Sequence, residues 1–110
     1  MNPLEPLQGM GFTLYESKAI STCLATGDAT AAEIAKKSGV PPTKVYSVLK
    51  NLEARGILET GFERPKVYAC LTLEQLKQKL LEEKQKEGEK IINAFKSLNN
   101  KKEKTMAPAR

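Results

Sequence analysis

Three helical segments with marked starts and stops, a proline-punctuated turn between the second and third, and two strand-like runs around a Gly-Phe-Glu-Arg-Pro loop predict a mainly α fold. The arrangement is that of a winged helix-turn-helix, three helices plus a β-hairpin wing, followed by a long C-terminal dimerisation helix. A chain of 110 residues holds one modest domain and an appendage. We divide it into an N-terminal segment 1–12, a winged helix-turn-helix domain 13–71, a long helix 72–98, and a flexible basic tail 99–110.

The first helix opens at Thr13-Leu-Tyr-Glu16, whose capping-box spacing lets the Thr hydroxyl serve an orphan backbone N–H while the Glu reaches back to the cap. Ala19, Ile20, Cys23 and Leu24 form one apolar stripe, and Gly27-Asp28 supplies the stop. Thr30-Ala-Ala-Glu33 repeats the capping box for a short second helix that ends at Gly39, a residue able to take the left-handed conformation. Val40-Pro-Pro-Thr43 breaks the chain and starts a third helix from about Pro42 to Arg55, closed by Gly56.

At about 100° per residue, Val45, Val48, Leu49 and Leu52 share one narrow arc of the third helix, while Thr43, Ser47, Lys50 and Ala54 cluster opposite. One face is buried and one polar face is free. Tyr46 lies at the edge of the buried arc and is expected to pack there, its hydroxyl free to reach a phosphate. Ile57 to Thr60 and Lys66 to Leu71 then read as the strands of the hairpin.

Thr72-Leu-Glu-Gln75 is a third capping box, opening a long polar helix whose apolar residues are Leu73, Leu76, Leu80, Leu81, Ile91, Ile92, Phe95 and Leu98. The 11-residue step from Leu80 to Ile91 keeps both clusters on one face of a nearly straight helix. Such a stripe needs a partner, most simply a second copy, with packing back onto the body as the alternative; Leu73, Leu76, Leu80, Ile91, Phe95 and Leu98 are the dimerisation candidates.

Composition excludes whole classes of chemistry. There is no His, which removes His-based acid/base catalysis and His metal ligation within these 110 residues. Cys23 and Cys70 have no CxxC partner, so neither a zinc site nor a thioredoxin-like motif is supported, and two buried thiols are favoured over a disulfide. We expect no catalytic residues, no metal, no cofactor, no membrane segment and a cytoplasmic, nucleoid-associated protein. The net charge is +5, and its distribution says more: residues 1–70 carry 8 basic and 7 acidic side chains, residues 71–110 carry 10 and 6. A nucleic-acid site in the body is therefore a local patch.

Counting Ala31 as position one, Ile34, Ala35, Gly39, Val40, Val45 and Val48 fall where a helix-turn-helix needs an apolar residue, a small residue at the helix contact, a glycine in the turn and apolar residues beneath the second helix. Between Glu33 and Glu53 there is no acidic residue, only Lys36, Lys37, Lys44 and Lys50. Singly, these lysines read equally as a solvated face. On the free face of a helix-turn-helix they point to double-stranded DNA, with Pro42, Thr43, Lys44, Tyr46, Ser47 and Lys50 on the recognition helix. Thr30, Lys36 and Lys37 join them from the preceding helix and its cap. Arg64 and Lys66, beside Phe62 on the hairpin, are wing candidates for the backbone or minor groove, though a charged hairpin is also simply soluble.

These residues, from Gly11-Phe-Thr-Leu-Tyr-Glu-Ser-Lys18 through Ala32-Glu-Ile-Ala35, Gly39-Val-Pro41 and Lys44-Val-Tyr46 to Arg64-Pro-Lys-Val-Tyr68, resemble the TrmB-type archaeal transcriptional regulators over about residues 10 to 85. The resemblance implies a winged-helix DNA-binding domain, a homodimer joined through the following helix, control of sugar or other metabolic genes, and an archaeal or bacterial source. The sequence stops where the ligand-binding domain of larger members begins, and no small-molecule effector domain is evident. The layout is similar to small archaeal winged-helix proteins, some of them regulators and some chromatin-like DNA binders. Two other readings stay open on the residues: an architectural DNA protein using the basic 96–110 tail, and a winged-helix module that holds a protein partner.

Overall fold

A computed structural model describes residues 4–105, with side chains through Leu98. Its elements are α1 (Leu4–Gly9), α2 (Leu14–Thr26), β1 (Ala29–Thr30), α3 (Ala31–Ser38), α4 (Pro42–Ala54), β2 (Leu58–Thr60), β3 (Val67–Cys70) and α5 (Leu73–Thr105). The chain forms two units, one reaching to Lys77 and one beginning at Gln78.

All three capping boxes form. The Thr13 hydroxyl accepts from the Glu16 amide at 3.1 Å while the Glu16 carboxylate accepts from the Thr13 amide at 2.9 Å. Thr30 with Glu33 repeats this at 3.2 and 2.8 Å, and Thr72 with Gln75 at 3.1 and 3.0 Å. Each box satisfies two donors that a bare helix start leaves orphaned, an effect worth about 1 kcal/mol. The two hydrogen bonds from Thr30, backbone and side chain, and the nearby Lys37 hold the Glu33 carboxyl below its ordinary range.

In the core of the first unit Ile20, Cys23, Val45, Leu49 and Leu52 are buried where the helical periodicity places them, joined by Ile34, Val40, Ile57 and Leu58. Side chains of this size each contribute about 1.5–3 kcal/mol on leaving water. Around them α2, α3 and α4 pack on one another and β2 docks on α4.

Two elements go beyond the expected three helices and hairpin. The short α1 packs on α2 within the segment 1–12, and the chain returns through Phe12, which is buried beneath the Arg55 guanidinium at 4.2 Å from its ring. A third strand, β1, lies beside the hairpin, so that the sheet order is β1-β3-β2, all antiparallel, with Ala29 opposite Tyr68 and Leu58 opposite Cys70. Two residues carry no readable alternation. Thr30 is extended, at φ −79° and ψ 165°, because it is an N-cap, and that same backbone geometry lets it pair as a strand.

The last helix also differs from expectation at both ends. Leu76 is 6% exposed and belongs to the core of the first unit, which corrects its place among the dimerisation residues. At the other end α5 runs through to Thr105, past the expected boundary at 98, since no proline or glycine interrupts the chain there. Residues 106–110 of the expected flexible tail lie outside the described residues. In the second unit Leu81, Ile91, Ile92, Phe95 and Leu98 are each more than half exposed and Leu80 is half-buried; Leu73, in the first turn of α5, is exposed.

Candidate nucleic-acid interface

The turn between α3 and α4 is set by three consecutive constraints. Gly39 adopts φ +81° and ψ 4°, a conformation that costs a side-chain-bearing residue energy, and its amide closes α3 on the Ala35 carbonyl at 3.1 Å. Val40, buried to 1% exposure, anchors the elbow in the core. Pro41 then caps α4 with φ −57°, and Pro42 occupies the first turn, where its missing N–H costs nothing.

Polar residues of α4 are thereby turned outward. Thr43, Lys44, Ser47, Lys50 and Ala54 are exposed, while Val45, Val48, Leu49 and Leu52 are buried, as the helical wheel requires. The exposed Ser47 hydroxyl donates to the Lys44 carbonyl at 3.0 Å, which leaves its acceptor capacity unused by that bond. The first turn of α4 holds no acidic residue and makes no side-chain cap bond, so the positive end of its dipole meets solvent beside Lys44. Lys36 and Lys37 are exposed in the last turn of α3.

Tyr46 departs from its expected packing: it is 65% exposed. At about 100° from Val45 it lies beyond the buried arc, on the side of Lys50 and Thr43. The small residues of α3 and the turn that it faces leave an open concavity of about 430 Å³, walled by Ala35, Gly39, Pro41, Pro42 and Val45, with Lys36 at its edge. The wheel itself held that signal, since Tyr46 falls nearer the free face than the core.

Thr30 is half-buried, and its hydroxyl accepts from the Glu33 amide while donating to the Glu33 carboxylate at 3.2 Å.

The wing is held by a residue that the sequence did not single out. Glu53, near the end of α4, accepts the Thr60 hydroxyl on one carboxylate oxygen at 2.8 Å, and its other oxygen lies 3.6 Å from the Lys66 ammonium. Lys66 also lies 5.7 Å from the centre of the Tyr68 ring. It is therefore a wing-root residue paired with acid, not a free cation at the tip. Arg64 sits in the loop, its guanidinium donating to the Glu63 carbonyl at 2.9 Å and the Phe62 carbonyl at 3.5 Å. Phe62 is wholly exposed. The Glu53 clamp depends on where the hairpin docks, a long-range fact with no local spacing to announce it.

Burial pushes the Cys23 thiol up to about 12, with the nearby Cys70 and Asp28 adding to the effect, and burial raises Cys70 as well. Both cysteines are free. Among the described residues no His, Cys, Asp and Glu cluster could hold a metal ion, and no helix is long and apolar enough to cross a membrane.

This chain has relatives among known proteins. It is 35% identical over 95 residues to the HTH-type sugar sensing transcriptional regulator TrmBL1 of Pyrococcus furiosus, covering 86% of this chain and 28% of that protein. It is 35% identical over 105 residues to the YrhO protein of Bacillus subtilis, covering 93% of this chain and 38% of that one. The chain thus spans well under half the length of these relatives. Among solved structures, TrmBL2, described as an archaeal chromatin protein with a novel mode of DNA binding, superposes with a TM-score of 0.84 at 29% identity over 96% of this chain and 41% of that one. A protein of Methanosarcina mazei Go1 described as a possible transcriptional regulator shares the fold at a TM-score of 0.65 and 12% identity, covering 82% of each chain. Residues 7–74, a span that takes in α2, α3, the glycine elbow, α4 and the hairpin, match the family described as the sugar-specific transcriptional regulator TrmB, and the chain belongs to the TrmB family.

Proposed function

We propose that this chain is a transcriptional regulator, not a catalyst, and that it binds duplex DNA as a homodimer in the cytoplasm. The observation that carries this reading is the outward face of α4 with the end of α3: exposed Thr43, Lys44, Ser47 and Lys50, with Lys36 and Lys37, and no acidic residue between Glu33 and Glu53. Such a face matches the major groove in charge and width. Pro42, Thr43, Tyr46 and Ser47 approach base edges, Lys44 and Lys50 serve phosphates or guanines, and Lys36, Lys37 and the α3 start at Thr30 serve the backbone. The wing contributes Arg64, with Lys66 at its root.

The α5 stripe of Leu80, Ile91, Phe95 and Leu98, together with the exposed Leu73, supports the dimer. Ile91, Phe95 and Leu98 fall within about 60° on the helical wheel. Two recognition helices then meet half-sites about 34–36 Å apart, or a multiple of that. A second reading, an architectural DNA binder with little sequence preference, is favoured by the description of TrmBL2 as a chromatin protein.

The test is selection of the purified chain against a random duplex pool at about 0.15 M salt. Enrichment of a two-fold motif is expected. Retention without a motif moves the assignment to the architectural reading, and no retention at all overturns both in favour of a protein-interaction module.

A further inference from the structure

The wing ends in an aromatic ring that the fold does not use. Phe62 is 100% exposed, in a loop whose other members are Gly61, Glu63, Arg64, Pro65 and, at its root, Lys66. We propose that Phe62 is an apolar wedge that enters the minor groove of duplex DNA and stacks at a flexible base step, an inference that rests on the DNA-binding reading above.

Three observations carry it. The root of the wing is fixed to α4, because one carboxylate, Glu53, holds Thr60 at the end of β2 and Lys66 just before β3. Wherever α4 engages a duplex, the tip is carried to a defined neighbouring position. Next, the loop is braced from within: the Arg64 guanidinium bridges the Phe62 and Glu63 carbonyls, and the Glu63 side chain folds over Gly61 into the space a Cβ would take. A braced loop presents the ring at low entropic cost. Finally, the surroundings select the partner. Protein interfaces bury contiguous patches of several hundred Å², whereas Phe62 is a lone ring among small, charged and cyclic residues. A single ring flanked by Arg64 is suited to stacking between bases beside phosphates.

The wedge pays for unstacking, which is least costly at pyrimidine–purine steps, so it confers a preference for TA or CA steps beside the major-groove half-site. It is a specificity residue that releases no counterions.

The chain contains no tryptophan, so a Phe62→Trp variant of the full chain carries a single indole probe at the tip. Titrated with mixed-sequence duplex at low salt, its emission is expected to quench and to become shielded from acrylamide. Phe62→Ala is expected to bind a TA-containing duplex about tenfold more weakly, with an unchanged dependence on salt, and Phe62→Leu to recover part of the loss. Because the side chain is wholly exposed, none of these changes threatens folding. If the parent chain binds the duplex but the indole is unaffected, or Phe62→Ala binds as tightly as the parent, the wedge is overturned and the DNA reading stands. If the parent chain itself binds no duplex, both fall together.

Discussion

Glu53 and Lys66 face each other across the junction of α4 and the wing, ammonium to carboxylate at 3.6 Å, while the second oxygen of the same carboxylate takes the Thr60 hydroxyl at 2.8 Å. One side chain of the proposed recognition helix thus holds both sides of the hairpin. Lys66 spends its charge on this contact and not on the outward face, and wing and helix become one presenting surface.

Glu53→Ala removes both contacts. An exposed ion pair contributes about 0–1 kcal/mol and a hydrogen bond about 0.5–1.5, so a loss of about 1 kcal/mol is expected by urea denaturation. Amide exchange should quicken in 58–60 and 67–70 but not in α2. Glu53→Gln keeps an acceptor for Thr60 and loses only the ion pair, so it should fall between. Unchanged wing protection in the Ala variant would show that the hairpin is held by its core residues alone.

The α4 lysines are predicted to act through phosphates. Replacing Lys44 and Lys50 together by Ala should weaken DNA binding at low salt and reduce the slope of log affinity against log salt by about 2, close to 0.9 for each contact removed. A series of affinities across salt concentrations reads this directly. An unaltered slope would mean that the two ammonium groups stay solvated on the complex.

What the sequence made legible is local. Thr13, Thr30 and Thr72 each announce a helix start because the capping partner lies three residues on, and Gly39 announces the elbow because only a glycine takes its backbone angles without cost. The buried arc of α4 was readable for the same reason. What escaped depends on contacts far apart in the chain: β1 exists through its pairing with β3, Glu53 matters through the docking of the wing, and Leu76 is claimed by the core and not by the stripe it is spaced to join. Tyr46 was readable and misplaced, since the emptiness beside it comes from the small residues of α3.

Two apolar positions separate folding from association. Leu49 is fully buried, so Leu49→Ala should cost about 2–5 kcal/mol of unfolding free energy through lost contacts and a cavity. Phe95 is 58% exposed, so Phe95→Glu should leave the first unit as stable as before. Its effect should appear in sedimentation, as a dimer that dissociates at protein concentrations where the parent holds together. A dimer of unchanged strength would remove the 91–98 cluster from the proposed interface.

Cys23 makes a prediction about alkaline pH. The thiol is buried to 1% exposure, and burial first, then the neighbouring Cys70 and Asp28, push it up to about 12 from an ordinary value of 9.0. At pH 7 the folded and unfolded thiols are both protonated, and the group contributes nothing to the pH dependence. Above pH 9 the unfolded chain releases this proton while the folded chain keeps it, so the folded state binds more protons and stability falls as pH rises, by up to about 1.4 kcal/mol per unit, until Cys23 itself ionises near 12. Urea denaturation of the parent and of Cys23→Ala across pH 8–11 isolates this thiol from every group the two proteins share. The variant should start less stable, because a small buried side chain is lost, and then decline less steeply than the parent. Parallel declines would mean that Cys23 titrates as freely in the fold as in the unfolded chain. The same protonation leaves almost no thiolate at neutral pH, and burial keeps reagents from the sulfur, so thiol reagents should modify Cys23 only as the fold opens.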